Sequence, residues 1–365
     1  MAKTNIVDWK TITNFVIDAF VGYGIPREDA EICADVLLES DKRGIESHGC
    51  NRFKPVYLDR IEAGIQNPVT NFEIIKETET TAVVDGHDGM GQVIGVKSMQ
   101  MAIDKAKKSG FGMVTVRNSN HYGIAGYYTK MAAEQGLIGL CMTNTEAIMV
   151  PTFGKQAMLG TNPIAFAMPA QPTIYSFDAA TTVVPRGKLE VYVKRGNGLP
   201  LGWAVDEEGH DSDDADRVLK NIISKAGGGI LPLGGSGEMT SGYKGYGFAM
   251  LCEIATAILS GGTTSNYIYK TPGRSNIAHC FIALDHGMFG DKAEIEAHLS
   301  KFLQEIRDSA KAEGQDRIYI HGEKEAEAHE RVLRDGVYLN DKTYEEMKMI
   351  GEYTGATEYL PSCMD

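Results

Sequence analysis

No stretch of this sequence is apolar for long enough to cross a bilayer, and its opening residues, MAKTNIVDWKTITNF, lack the apolar core of a secretory signal. Both absences lead to the expectation of a cytoplasmic protein with no membrane partner. Cysteine pairing is missing as well. The six cysteines (Cys33, Cys50, Cys141, Cys252, Cys280 and Cys363) include no CxxC, so in a chain of 365 residues they read as reduced thiols. Positive charge is in deficit. A formal net charge of −13 leaves no basic face for nucleic acid, and any anionic substrate must be met by local Arg or Lys. HExxH, GxSxG and the P-loop are all absent. His87, His210, His279, His286, His298, His321 and His329 have no carboxylate at ligand spacing, so no metal is expected.

What is present is ordinary for a globular protein: 43% apolar and 23% charged residues. The length exceeds one usual domain and points to two lobes. The first fifth is helical. Ile12, Phe15, Val16, Ala19 and Phe20 recur at helix spacing, and Pro26 opens a second helix that Gly44 stops. From about residue 72 strands and helices alternate. TTAVVDG, GFGMVTVRNSN, LIGLCMTN and NPIAFAMPA read as strands, GQVIGVKSMQMAIDKAKKSG and AGYYTKMAAEQG as helices. FIALDHGMF is a late strand, and helices resume after it. The expectation is an α/β fold: residues 1–75 form a helical domain to which residues 294–365 return, and residues 76–293 form an α/β domain between them.

GMGQVIG, at the entry to the first helix of that α/β region, invites a dinucleotide fingerprint. It fails on spacing, GxGxxxG rather than GxGxxG. The following strand also ends in Val116-Arg117-Asn118 with no carboxylate. A glycine-rich turn into a helix is the better reading.

Two other stretches carry more chemistry. In RGIESHGCNRFKPVY, just past a helix end, Ser47 can orient His48, and Arg52 can grip a carboxylate with two parallel donors. A histidine titrates near neutrality, so it can pass a proton to a carbonyl oxygen as hydride reaches the carbon. In RNSNHYGIAGYY, His121 sits where a strand gives way to a helix, the usual place for a ligand in an α/β sheet. The residues alone leave open whether either histidine acts or merely packs.

The blocks RGIESHGCNRF, NSNHYGIAGYY, GTNPIAFAMP, FDAATTVVPRGK, GWAVDEEG, LPLGG, GYKGYGFAM and IHGEKE run over nearly the whole chain. With them the sequence resembles the type-2 malate/L-lactate dehydrogenases, a family that includes sulfolactate, ureidoglycolate and diketogulonate dehydrogenases. The resemblance implies a mixed-sheet, non-Rossmann nicotinamide-binding α/β domain and a homodimer with its active site near the interface. It implies that His48 is the acid/base, oriented by Ser47, and that Arg52 holds the substrate carboxylate. Thr161 contacts substrate, and His121 is the competing proton donor or a part of the cofactor pocket. For the cofactor it points to Asp178, Ala179, Ala180, Lys244, Gly322 and Glu323.

There are departures. Ala179 stands where Met is common, and Lys188 stands where the cyclic-imine reductases carry aspartate, which makes that substrate class a poorer fit. SGEMTS, residues 236–241, is longer than in many relatives and blurs the alignment around Lys244. The expected function is hydride transfer between NAD, or possible NADP, and a small 2-hydroxy acid, malate first. Lactate, sulfolactate and other 2-oxo acids are the alternatives. Outside this class stand a Ser-His hydrolase, which lacks a nucleophile elbow here, and a non-enzymatic metabolite-binding protein.

Overall fold

The computed structural model of the chain describes residues 5–359. Eleven strands and eleven α-helices are assigned among them. In chain order the strands are β1 (Asn5–Val7), β2 (Glu73–Glu77), β3 (Thr81–Asp85), β4 (Phe111–Ser119), β5 (Ile138–Thr143), β6 (Ile164–Met168), β7 (Tyr175–Ala179), β8 (Ala204–Val205), β9 (Gly229–Ile230), β10 (Ile277–Leu284) and β11 (Val337–Leu339). The helices are α1 (Trp9–Gly22), α2 (Arg27–Lys42), α3 (Asp59–Glu62), α4 (Gly91–Ser109), α5 (Ala125–Glu134), α6 (Arg186–Arg195), α7 (Ala215–Ser224), α8 (Gly242–Glu253), α9 (Lys292–Asp308), α10 (Glu323–Asp335) and α11 (Asp341–Thr354).

Seven strands form the central sheet in the order β2-β3-β4-β10-β5-β6-β7. Only β3 and β4 are parallel; every other neighbouring pair is antiparallel. The sheet is therefore mixed, although strand-helix alternation by itself favours parallel strands. The late strand β10 is inserted between β4 and β5. Its side chains alternate between faces. Phe281 packs with Met99, Ile103 and Tyr128 of α4 and α5, while Cys280 packs with Cys252 of α8. Both faces are covered, which is why IAHCFIAL is apolar throughout apart from His279, whose buried ring is hydrogen-bonded.

The terminal segments share one core. Phe15, Phe20, Leu37, Phe53 and Tyr57 pack with Tyr344, Met347 and Ile350, and β1 pairs antiparallel with β11. A third core, of Leu189, Leu199, Val218 and Ile222, lies under α6 and α7. Helix α9 adds no residue to that terminal core: its Leu303 packs on Ala170 and Ile320 beside β7, and its Arg307 pairs with Glu323 at the start of α10. RFKPVY, which reads as a helix broken at Pro55, is a π-helical turn, Phe53–Leu58, that runs on into α3.

The glycines of GMGQVIG have a packing role. A Cβ on Gly91 would stand 2.3 Å from the His121 carbonyl oxygen and 2.4 Å from that of Asn120. Glycine lets the start of α4 slide under the end of β4, where His121 begins its turn.

Candidate active site

The first wall of the site is the bend after α2. Two short 3-10 turns, Glu46–His48 and Cys50–Arg52, are held in place by a buried carboxylate. Asp41 accepts from the Cys50 amide at 2.8 Å. A Cβ on Gly49 would lie 2.1 Å from the Asp41 Oδ1, which explains the glycine after His48. Burial pushes the Asp41 carboxyl up to about 7, against the lowering effect of the Cys50 hydrogen bond. Asn51 fastens the bend from outside. It donates to the Glu46 carbonyl at 3.0 Å and accepts from Asn340, the N-cap of α11, at 2.6 Å.

Within this bend Ser47 Oγ lies 3.0 Å from His48 Nδ1, and Arg52 Nε donates to the Ser47 carbonyl at 2.7 Å. The terminal nitrogens of Arg52 make no ion pair among the described residues, so the outer edge of its fork is free. Burial in the cleft, and then the charge of Arg52, push the His48 pKa down to about 4.

The second wall is the β4–α5 turn. His121 stacks against His48 with ring centroids 5.8 Å apart and planes inclined by 24°. Beneath it, Asn120 is fully buried and donates to the Asp88 and Gly89 carbonyls at 2.9 and 3.0 Å. His279 of β10, also fully buried, lies 2.9 Å from Ser119 Oγ and 3.2 Å from the Asn120 carbonyl.

Thr161 stands on the third wall, between β5 and β6. Its amide donates to Thr145 Oγ1 at 2.9 Å, and its carbonyl accepts from the Thr181 amide at 2.8 Å. Behind it Asn162 holds the Thr145 amide and donates to the buried Glu253 carboxylate at 3.1 Å. On β7, Asp178 pairs in register with Ala165 and accepts from the Gly126 amide at 2.7 Å. Its carboxyl touches the open space of the cleft but is ringed by protein. That enclosure pushes its pKa up to about 6, against the lowering effect of the Gly126 donor.

These walls enclose a cleft of about 600 Å³, inside the range usual for small-molecule sites. Ser47, His48, Arg52, Thr161, Asp178, Ala179, Ala180 and Gly322 all line it. Three expected residues do not: His121 (whose ring stacks behind that of His48), Glu323 and Lys244. Glu323 is turned away and buried between Arg307, at 2.5 Å, and Arg317, at 2.9 Å. Lys244 is exposed on α8 over its neighbour Tyr243. Of the two basic residues in VPRGK, Arg186 lines the cleft and Lys188 does not.

Sequence reading passed over Arg43, Lys324, Glu325 and His321, which also line the cleft. It passed over Tyr57, Asp41 and Glu253, which support it. Tyr57 lay within the quoted RGIESHGCNRFKPVY, but nothing local marks it as a partner of His121. A second, larger groove of about 750 Å³ runs along α4 near Lys97 and Lys105. It is open, Lys105 is already paired with Glu77 at 2.7 Å, and no histidine lines it.

The donor set fits a nicotinamide dinucleotide. Arg43, Arg186 and Lys324 bring positive charge for a pyrophosphate. Asp178 and Glu325 offer acceptors for ribose hydroxyls or a carboxamide. The ring of His321, set edge-on to Phe177 at 5.3 Å, adds an aromatic surface. With a histidine and a free arginine beside that cleft, the fold and site suit a dehydrogenase of small hydroxy acids.

Comparison with known proteins agrees. The sequence profile of the malate/L-lactate dehydrogenase family matches residues 7–348, and the chain belongs to that family. It is 43% identical over 343 residues to a malate dehydrogenase of Pyrococcus horikoshii, covering 94% of this chain and 93% of the relative. Identity to the L-sulfolactate dehydrogenase of Methanocaldococcus jannaschii is 39% over 337 residues, or 92% and 93% of the two chains. The crystal structure of malate dehydrogenase from Entamoeba histolytica superposes with a TM-score of 0.93 at 39% identity, covering 96% of this chain and 98% of that one.

Proposed function

We propose that this enzyme interconverts malate and oxaloacetate with NAD, and that Ser47, His48, Arg52 and Thr161 carry the substrate chemistry. The observation behind this reading is the unpaired fork of Arg52, five residues from Ser47 and on the same cleft wall as His48. A 2-hydroxy acid needs its C1 carboxylate gripped and its C2 hydroxyl deprotonated at one place. The bound nicotinamide supplies the hydride acceptor. Arg52 orients the carboxylate, and the neutral His48 takes the hydroxyl proton on oxidation and returns it on reduction. Thr161 borders the same space. An NADH- and NADPH-coupled screen of 2-oxo acids tests the reading directly. No turnover with oxaloacetate, or faster turnover with pyruvate or sulfopyruvate, would move the substrate assignment.

The low pKa of His48 leads to a further expectation. Burial keeps the ring depressed, but an anion seated on Arg52 offsets the second cause, the Arg52 charge, so His48 becomes more basic and binding takes up a fraction of a proton in the window just above pH 4. Titration calorimetry of the NADH-bound enzyme with oxamate in that window, in two buffers of different ionisation enthalpy, measures this uptake. Equal heats in both buffers would separate His48 from the anion site.

Cofactor choice turns on the 2′-position. Arg186 is the basic residue of VPRGK on the cleft, and Glu190 already engages it at 3.1 Å. That pairing favours NAD. The comparison is of NADH and NADPH dissociation constants, and a large preference for NADPH would reverse the choice.

The reading includes a homodimer. Helix α8 and the π-helical turn Ile254–Ile258 are apolar on both sides. Cys252 packs on the sheet, while Phe248, Leu251, Ile254 and Ile258 remain about half exposed. Such a stripe calls for a partner, and a second copy fits, with Lys244 at the edge of its interface. Leu251→Glu with Ile258→Glu should convert a dimer to a monomer in light scattering, whereas a monomeric parent would refute the assignment. We place the enzyme in the cytoplasm, in keeping with five buried, unpaired cysteines.

A further inference from the structure

The two histidines of the site are held differently, and the difference assigns them different work. Each has its Nδ1 edge engaged and its Nε2 without a protein partner among the described residues. His48 Nδ1 meets the Ser47 hydroxyl, which can donate or accept. His121 Nδ1 meets two groups: the Tyr57 hydroxyl at 2.7 Å and the Gly123 backbone amide at 3.3 Å.

An amide N–H can only donate. The Gly123 amide also faces the Tyr57 hydroxyl, and its donation to Nδ1 of His121 makes that the unprotonated nitrogen, with the ring proton of the neutral form on Nε2. The same logic fixes the Tyr57 hydroxyl, which must point its hydrogen at Nδ1. Tyr57 has little freedom to do otherwise. It is fully buried, edge-on to Phe20 at 6.3 Å and to the His121 ring at 5.6 Å. It belongs to the core formed by the terminal helices, while His121 belongs to the end of β4. Sixty-four residues separate the partners of this bond.

We propose that Tyr57 is a positioning residue that locks His121 as a neutral Nε2–H donor to the substrate's C2 oxygen, leaving His48 as the group that exchanges the proton. The inference rests on the dehydrogenase reading of the site. On that reading, His121 holds the oxygen in the direction its lone pairs require, and the mobile proton belongs to the ring whose hydroxyl partner can reverse its bond. Burial, and then the charges of His48 and nearby arginines, hold His121 well below the usual histidine range, which keeps it neutral in this role. Because the locking hydroxyl comes from the other core, small shifts between the two cores would be felt at the C2 oxygen.

The test uses the full-length enzyme in two measurements. The first is nitrogen-15 NMR of imidazole-labelled protein, with His121 identified by its loss in His121→Asn. The proton is expected on Nε2 in the wild type, and in Tyr57→Phe the Nδ1 signal should move toward that of a nitrogen without a donor. A proton on Nδ1 in the wild type overturns the proposal. This result does not depend on any substrate, so it stands apart from failure of the malate reading itself.

The second measurement is kinetic. Losing one neutral orienting hydrogen bond, Tyr57→Phe should lower kcat roughly tenfold with KM and melting temperature close to the wild type. The phenyl ring keeps the packing with Phe20, so folding is not at stake. An unchanged kcat, or a loss matched by a fall in melting temperature and a rise in KM, overturns the positioning role.

Discussion

His48→Asn is expected to lower kcat by roughly 10²–10⁴-fold, the usual range for removal of a positioned acid/base, while NADH affinity stays near the parent value. Asparagine keeps a polar group of similar reach but cannot exchange a proton at these pH values. Ser47 touches the ring at 3.0 Å and acts through it. Ser47→Ala and His48→Asn should therefore be non-additive, the double variant little slower than His48→Asn alone. His121→Asn should fall less far in kcat than His48→Asn, because its role is to hold the C2 oxygen rather than to transfer the proton. Single-turnover hydride transfer and NADH titration on these four variants decide the matter. If His121→Asn abolishes transfer with NADH binding intact while His48→Asn keeps most of its rate, the two roles must be exchanged.

The second large effect concerns Arg52. A bidentate bond from guanidinium to carboxylate has about 1.5–3 kcal/mol of charge-assisted hydrogen bonding to lose, equivalent to roughly 10–100-fold in KM. Arg52→Lys keeps the charge but not the fork, so KM for every active 2-oxo acid should rise within that range. The Nε bond to the Ser47 carbonyl, 2.7 Å long, is lost in the same substitution. Part of the damage will therefore reach His48 and appear in kcat. An unchanged KM would show that the substrate carboxylate is held elsewhere, with Arg43 and Lys324 the next cations to examine on that wall.

Glu323 and Lys244 lie outside the cleft of the single chain. Both sit in matched blocks. Yet the Glu323 carboxylate is taken by Arg307 and Arg317, which lie 16 and 6 residues away in sequence. A block identifies which residues occur together but says nothing about which face of a helix start points to the ligand. The opposite case occurs at Glu253 and Asp41. Each lies just outside a quoted block, yet one underpins Thr161 through Asn162 and the other holds the bend that carries His48.

By itself the sequence determined the local elements and the reacting groups. Apolar spacing of 3.6 and 2 residues defined α1, α4, β3, β4 and β5, because each buries one face within a single segment. The run from Arg43 to Arg52 marked the bend with Ser47, His48 and Arg52, because a helix stop, a hydroxyl, an imidazole and a guanidinium lie within ten residues. Only the tertiary structure decided that β10 enters the sheet between β4 and β5, where strand pairing joins residues such as Cys280 and Met142 across 138 positions. It alone decided that Asn340 fastens the bend at Asn51, and that Tyr57 of the helical core reaches His121 of the sheet. The physical reason is the same in each case. A periodic pattern records which side of a segment avoids water, whereas the partner of a hydrogen bond across two cores depends on how those cores pack.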